Sequence, residues 1–294
     1  IAHQLTMVGF REPGYLWKMD IPFVWGPVGG MGLFPWRFLH KVGLYGAIYY
    51  FGYNLYNLMQ MRFLKRPKIA AIKASTGLLA LNVENQYYLS KMYGMHSEIC
   101  AAVGPPPIIL DKFSVKDANS PIRIVWSGEH KPGKAFNIAL EALALLYNNI
   151  SWELHVLGDG ILTNKWKQHA QKLGLLHKCI FYGWVNRDIA LRIMKNSHIH
   201  LFTSLREGTP TVILEAFSLG VPTICFGCSG MIDMVNNECG IKIPLTKFSK
   251  DVKSLAKAIE QLSLDESLRQ RLAQGALKRT QMFSWESKAD LICR

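Results

Sequence analysis

Two short apolar runs, His198–Thr203 (HIHLFT) and Val221–Phe226 (VPTICF), bracket the segment Ser204–Gly220, SLREGTPTVILEAFSLG, and this arrangement constrains the fold more than any other stretch. Both runs read as strands, the first alternating and the second short and apolar. The segment between them bends at Glu207-Gly208 and then becomes helical. Thr209 is the expected N-cap and Pro210 the first helical residue, where its missing N–H costs nothing and its φ is already helical. The first-turn amides, those of Thr211 and Val212 included, then point back towards Glu207 and Gly208. Such a terminus attracts phosphate through its orphan donors and the positive end of the helix dipole. Glu207 falls on the loop ahead of the helix and Glu215 on its second turn, so the two carboxylates line one cleft from two heights.

The unit is one of a series. From Pro121 onward strands and helices alternate: Ile122–Trp126, Trp152–Leu157, Cys179–Tyr182, His198–Thr203 and Pro222–Phe226 are expected strands, with Ala135–Tyr147 the first helix. Alternation of this kind implies an α/β fold with a parallel, doubly wound sheet. Ligands of such sheets bind at the carboxyl ends of the strands, where the loops beginning at Ser127-Gly128, Gly158, Gly183 and Ser204 lie. A chain of 294 residues is longer than one core usually organises. Gly104-Pro105-Pro106-Pro107 and the polar Ser114–Ser120 mark the expected boundary between two domains.

Glu207-Gly208-Thr209-Pro210, followed by Leu214-Glu215-Ala216 and Gly220-Val221-Pro222, resembles the E-x7-E signature of retaining family 4 glycosyltransferases. The resemblance implies a GT-B fold, two Rossmann-like domains facing across a cleft. Residues 1–118 would be a partial N-terminal, acceptor-side domain, lacking roughly its first half because the chain begins too late for a complete enzyme. Residues 119–282 would form the C-terminal nucleotide-sugar-binding domain, and 283–294 a helix crossing back to the first. Ser127-Gly128 through Lys134 resembles the family's phosphate loop, with Lys134 on the diphosphate-binding lysine. Glu129 stands where an arginine is usual, so half of the positive clamp is either missing or supplied elsewhere, by Lys131 or, by slight preference, Arg206. Glu215 would accept from the ribose hydroxyls, Glu207 would meet the donor sugar, and Val185 would lie beside the base. Gly208, Thr209, Pro210, Thr211 and Val212 would present the diphosphate-binding turn. The family needs no metal, and no cofactor is expected beyond the nucleoside diphosphate sugar itself.

Ahead of the boundary, Ile21–Pro35 (IPFVWGPVGGMGLFP) resembles the family's GPVGG loop, with Gly29 and Gly30 expected against donor phosphates or acceptor. His3, near the end of a strand over Ile1–Thr6, is the candidate histidine facing the acceptor side. Lys68–Ala80 reads as strand plus loop. Between Lys41 and Arg62 every residue is uncharged, and no acidic residue stands between Ile21 and Glu84. That stretch leaves three readings open: a pair of core helices, a membrane-surface segment, or a membrane span, against which its Gly, Asn, Gln and Tyr content argues.

A net charge of +13 asks for an anionic partner. The sugar nucleotide, a saccharide or lipid-linked acceptor and an anionic membrane surface each answer, whereas no nucleic-acid motif is present. Six scattered cysteines read as buried thiols of a reducing, cytoplasmic compartment, with the protein peripheral on the inner face of the membrane. The expected function is transfer of a hexosyl group from a UDP- or GDP-sugar to an acceptor hydroxyl in cell-surface polysaccharide or glycolipid synthesis. The rivals are a GT-B sugar-nucleotide epimerase and a non-catalytic sugar-nucleotide-binding module.

Overall fold

The computed structural model describes residues 2–5, 9–74, 77–107, 120–146 and 150–293, which contain two sheets whose strands all run parallel. The first has β1 Ala2–Gln4, β2 Phe23–Val28, β3 Leu78–Ala80 and β4 Glu98–Ile99 in that spatial order. Helices α1 Gly43–Phe63, α2 Lys65–Lys73 and α3 Val83–Tyr88 accompany it, around a core of Trp25, Met31, Met61, Ala70 and Leu89.

The second sheet is built from β5 Ile122–Ser127, β6 Trp152–Leu157, β7 Cys179–Gly183, β8 Ile199–Phe202, β9 Thr223–Phe226 and β10 Gly240–Ile243. Its helices are α4 Phe136–Leu143, α5 Thr163–Lys172, α6 Arg187–Lys195, α7 Thr211–Ser218, α8 Met231–Met234, α9 Phe248–Leu264, α10 Glu266–Gln281 and α11 Trp285–Ile292. Every residue of β8 and β9 is buried, because helices cover both faces of a parallel sheet. Packing of Trp126, Phe136 and Trp166 closes the face between β5 and the helices that follow it.

The spatial order β10-β9-β8-β5-β6-β7 decides where the site lies. The chain begins this sheet in the middle, lays β6 and β7 to one side, then returns to place β8 on the other side of β5. Connections from β5 and β8 therefore leave their carboxyl ends side by side but diverge to opposite faces, opening a crevice between them.

Several local expectations are corrected. Lys65–Lys73 is a helix, not strand and loop: Pro67 is tolerated in its first turn, and Ala70 and Ala71 are strong helix formers at fully buried positions. Strand β2 runs through Gly26-Pro27 to Val28, so the chain turns at Gly29-Gly30. Residues 43–63 form one helix, not two, and no helix among the described residues is long and apolar enough to cross a membrane. Helix α7 begins at Thr211 with Pro210 as its cap residue, and the Thr209 hydroxyl caps nothing: its Oγ1 is buried without a hydrogen-bond partner. The expected boundary at 118/119 lies outside the described residues, as do Ile1, Thr6 and Tyr147.

Candidate active site

The loop after β5 tightens into a 3-10 turn over Pro132–Lys134 and leaves it through Ala135 at φ 48, which swings the chain into α4. This left-handed step places the Lys134 side chain back over the crevice. The loop after β8 carries Ser204 to Pro210 along the opposite lip. Lys134 Nζ donates to Glu207 Oε1 at 2.6 Å, and Ser204 Oγ donates to the same oxygen at 2.7 Å. Both charged side chains are largely withdrawn from solvent, 14% and 23% exposed, so the pair is screened less than a surface pair.

The Glu207-Gly208 turn is held from two sides. Ser229 Oγ and Gly230 N donate to the Glu207 carbonyl at 2.6 and 3.0 Å. A Cβ on Gly230 would lie 2.0 Å from the Gly208 carbonyl oxygen, so only glycine lets the two turns approach this closely. From the first sheet, Asn82 Nδ2 donates to the Gly208 carbonyl at 3.0 Å, and Asp233 accepts from Val83 N at 2.7 Å. Arg206 reaches the other way. Its guanidinium lies 4.2 Å from the Tyr53 ring centroid, donates to the Tyr53 hydroxyl, and donates through Nε to the Gly32 carbonyl at 3.3 Å. The two halves are thus joined at the strand ends of both sheets.

Between them lies a cavity of about 700 Å³, lined by Gly30, Gly32, Asn82, Lys131, Arg206, Glu207, Gly208, Thr209 and Ser229 among others. Of the residues singled out from sequence, Gly30, Glu129, Lys131, Arg206, Glu207, Gly208 and Thr209 line it, and Lys134 is tied to it through Glu207. A second group gathers around α7 outside that lining. Val185 and Val212 pack on one apolar cluster, and Arg187, two residues beyond Val185, approaches Glu215 to 3.6 Å. Burial pushes the Glu215 carboxyl above its usual range, with Arg187 pulling the other way. The Thr211 and Val212 amides open the helix without intrahelical acceptors. Ser127 ends β5, and Gly128 just after it donates through its N–H to the Leu157 carbonyl at 3.1 Å. Gly29 accepts from Phe10 N at 2.9 Å behind the lining. His3 stands apart from the cavity, its Nε2 3.0 Å from the Gly26 carbonyl oxygen. The departure at Glu129 resolves locally: its carboxylate pairs with Lys131 at 2.6 Å, both side chains about half exposed.

Four contributors were not read from the sequence. Asn82 is legible as the cap of α3, accepting from Asn85 N at 3.0 Å, but its second partner across the cleft is not. Tyr50 and Tyr53 are hidden in a run that reads simply as apolar. Glu84 accepts from Leu33 N at 3.0 Å, its other oxygen is buried without a hydrogen-bond partner, and burial raises its pKa. Among the described residues no three His, Cys, Asp or Glu side chains stand together as a metal site.

The family model described as Glycosyl transferases group 1 matches residues 109–279, more than half of the chain. The chain belongs to that family. Its relatives include the lipopolysaccharide 1,6-galactosyltransferase of Salmonella typhimurium, 38% identical over 87 residues that make up 29% of this chain and 24% of that enzyme. Among solved structures, the apo lipopolysaccharide outer core galactosyltransferase WaaB superposes with a TM-score of 0.60 at 20% identity, over 76% of this chain and 62% of that one. Anabaena HepE in complex with UDP gives 0.60 at 16% identity, over 79% and 67%. The chain spans less than two thirds of the length of the first two. The group 1 member therefore has the GT-B fold of these glycosyltransferases, two parallel-sheet units facing across the cleft that holds Glu207.

Proposed function

We propose that this group 1 family member is a retaining glycosyltransferase that moves a hexosyl group, galactosyl being the first candidate, from a UDP-sugar to a saccharide or lipid-linked hydroxyl in cell-surface polysaccharide synthesis. The observation that carries the reading is the Lys134–Glu207 pair at the rim of the cleft, a few residues ahead of a helix N-terminus that no side chain caps. A glycosyl donor leaves as a diphosphate, so the barrier falls when developing negative charge is met by fixed donors. Lys134 and the Thr211 and Val212 amides supply them. Glu207, released from Lys134 by the arriving diphosphate, turns to the sugar and stabilises positive charge at its anomeric carbon. Glu215 accepts from the ribose hydroxyls, a bidentate task for a carboxylate, and Val185 lies against the base.

The UDP bound in the HepE complex and the galactosyltransferase relatives support uridine and galactose for this chain. The chemistry routes no step through a metal, so turnover should be insensitive to chelators. All six cysteines are free thiols, in keeping with a reducing compartment. Calorimetric titration with UDP, GDP and ADP, alongside Glu215→Ala, tests the reading. Binding of UDP in preference to the others, lost in the variant, is the expected result, and indifference to all three nucleotides refutes it. UDP binding without release of UDP from any UDP-hexose in the presence of lipid or saccharide acceptors would favour a non-catalytic binding module.

A further inference from the structure

Helix α1 buries Gly46, Tyr50, Asn54, Asn57 and Met61 along one stripe and leaves the other unpartnered. Asn54 bonds the Phe34 N–H and carbonyl, and Asn57 Nδ2 donates to the Met31 carbonyl at 3.1 Å, so these two asparagines face the glycine-rich loop and fix the rotation of the helix. The outward side is dominated by apolar and tyrosine side chains: Leu44 is 80% exposed, Ile48 66% and Phe63 73%, with Phe51, Leu55 and Met59 between them. A helix of 21 residues presents this face over about 30 Å at 1.5 Å per residue. The surface continues through exposed Leu64 onto α2, where Ile69 and Ile72 are also exposed. Contiguous apolar area on this scale marks an interaction site.

Charge identifies the partner. Arg37 and Lys41 precede the face, and Arg62, Lys65, Arg66, Lys68 and Lys73 follow it, while no acidic residue occurs between Ile21 and Glu84. Lys65, Arg66, Lys68 and Lys73 are exposed alongside Ile69 and Ile72. A protein partner would be met by mixed charge. An apolar helix face carrying Tyr and Phe and flanked along the chain only by cations matches an anionic bilayer surface, with rings at headgroup depth and lysines on the phosphates. We infer that the outer face of α1 and α2 docks this protein on an anionic lipid bilayer, lying in the interface without crossing it. Tyr45 and Tyr49 connect that face to the cleft, since both are exposed on α1 and both line the cavity beside Glu207. Docked this way, the cavity mouth opens at the headgroup layer, where a hydroxyl acceptor carried on a membrane lipid is delivered. This last step rests on the glycosyltransferase reading; the docking itself does not.

Sedimentation with vesicles tests it, using phosphatidylcholine alone and phosphatidylcholine mixed with phosphatidylglycerol. The chain should pellet with the mixed vesicles only, and added salt should release it. Lys65→Glu with Lys68→Glu removes two cations from the surface and should lower partitioning at least about twenty-five-fold, at about fivefold per basic residue. Leu44→Ser with Ile48→Ser and Phe51→Ser, all at exposed positions that leave the fold intact, should lower it at least about tenfold. UDP titration of each variant should be unchanged, which separates the surface from the nucleotide site: lost vesicle binding with intact UDP binding supports docking, and absent UDP binding with intact vesicle binding sinks only the enzymatic reading. Failure to bind mixed vesicles, equal binding to neutral ones, or indifference to both sets of substitutions overturns the inference. Self-association abolished by the triple substitution, without vesicle binding, would instead assign the face to a second copy of the chain.

Discussion

Glu207→Gln separates the two jobs that the proposed transfer gives to one carboxylate. Lys134 Nζ is engaged by Glu207 Oε1 at 2.6 Å, so an incoming diphosphate must take the ammonium from it. The bare attraction at that distance is about 6 kcal/mol at an effective dielectric of 20. Desolvation of two groups only 14% and 23% exposed returns most of it, leaving about 1.5–3 kcal/mol for a hydrogen bond to a charged group. A glutamine oxygen still accepts from Lys134 and keeps part of this, so the substitution frees about 1 kcal/mol for the competing phosphate. The Kd for UDP should therefore fall about fivefold, while release of UDP from the sugar nucleotide slows about a hundredfold or more because no anion faces the anomeric carbon. Calorimetry reads the first quantity and a coupled UDP-release assay the second. UDP binding weakened in step with turnover would refute the exchange, since Glu207 would then be a direct nucleotide contact.

Other consequences can be measured on the same protein. Glu215→Gln should cost roughly 10- to 150-fold in UDP affinity, the worth of a charged hydrogen bond, yet leave Tm at pH 7 unchanged or higher, because burial already disfavours the Glu215 carboxylate. Loss of stability alongside affinity would contradict this. Gly230→Ala drives a methyl into the Gly208 carbonyl and should lower both stability, by about 1–3 kcal/mol in urea unfolding, and UDP-sugar turnover. His200 is fully buried in β8 with Nδ1 3.0 Å from Thr223 Oγ1, and burial pulls its pKa down to about 3. The stability it contributes is complete above its unfolded pKa near 6.5 and is lost as pH falls towards 3, at up to about 1.4 kcal/mol per pH unit. Urea titrations across that window should show a shallower acid loss in His200→Gln, and an unchanged slope would count against the assignment.

The alternating pattern after Pro121 made the second sheet legible, because strands buried on both faces are short apolar runs and the loops at their carboxyl ends carry the glycines. The E-x7-E stretch likewise gave Glu207 on a loop and Glu215 on the second turn of a helix, as found. Helix α2 stands where strand and loop were expected from Lys68 onward, because buried Ala70 and Ala71 settle it by packing. The Thr209 cap followed from a local rule, whereas Pro210 takes the cap position and the Thr209 hydroxyl is buried without a hydrogen-bond partner.

Periodicity and motif spacing determined which residues lie on which kind of element, since those depend on neighbours a few positions away. Strand order decided what meets what. Lys134 and Glu207 lie 73 positions apart and touch only because β8 returns to the far side of β5. The same is true of Asn82 at Gly208, of Arg206 at Tyr53, and of the rotation of α1, where two asparagines bound to a loop choose the face left to the outside. These contacts depend on how the backbone folds back on itself, and hydrophobic patterning along the chain carries no record of them.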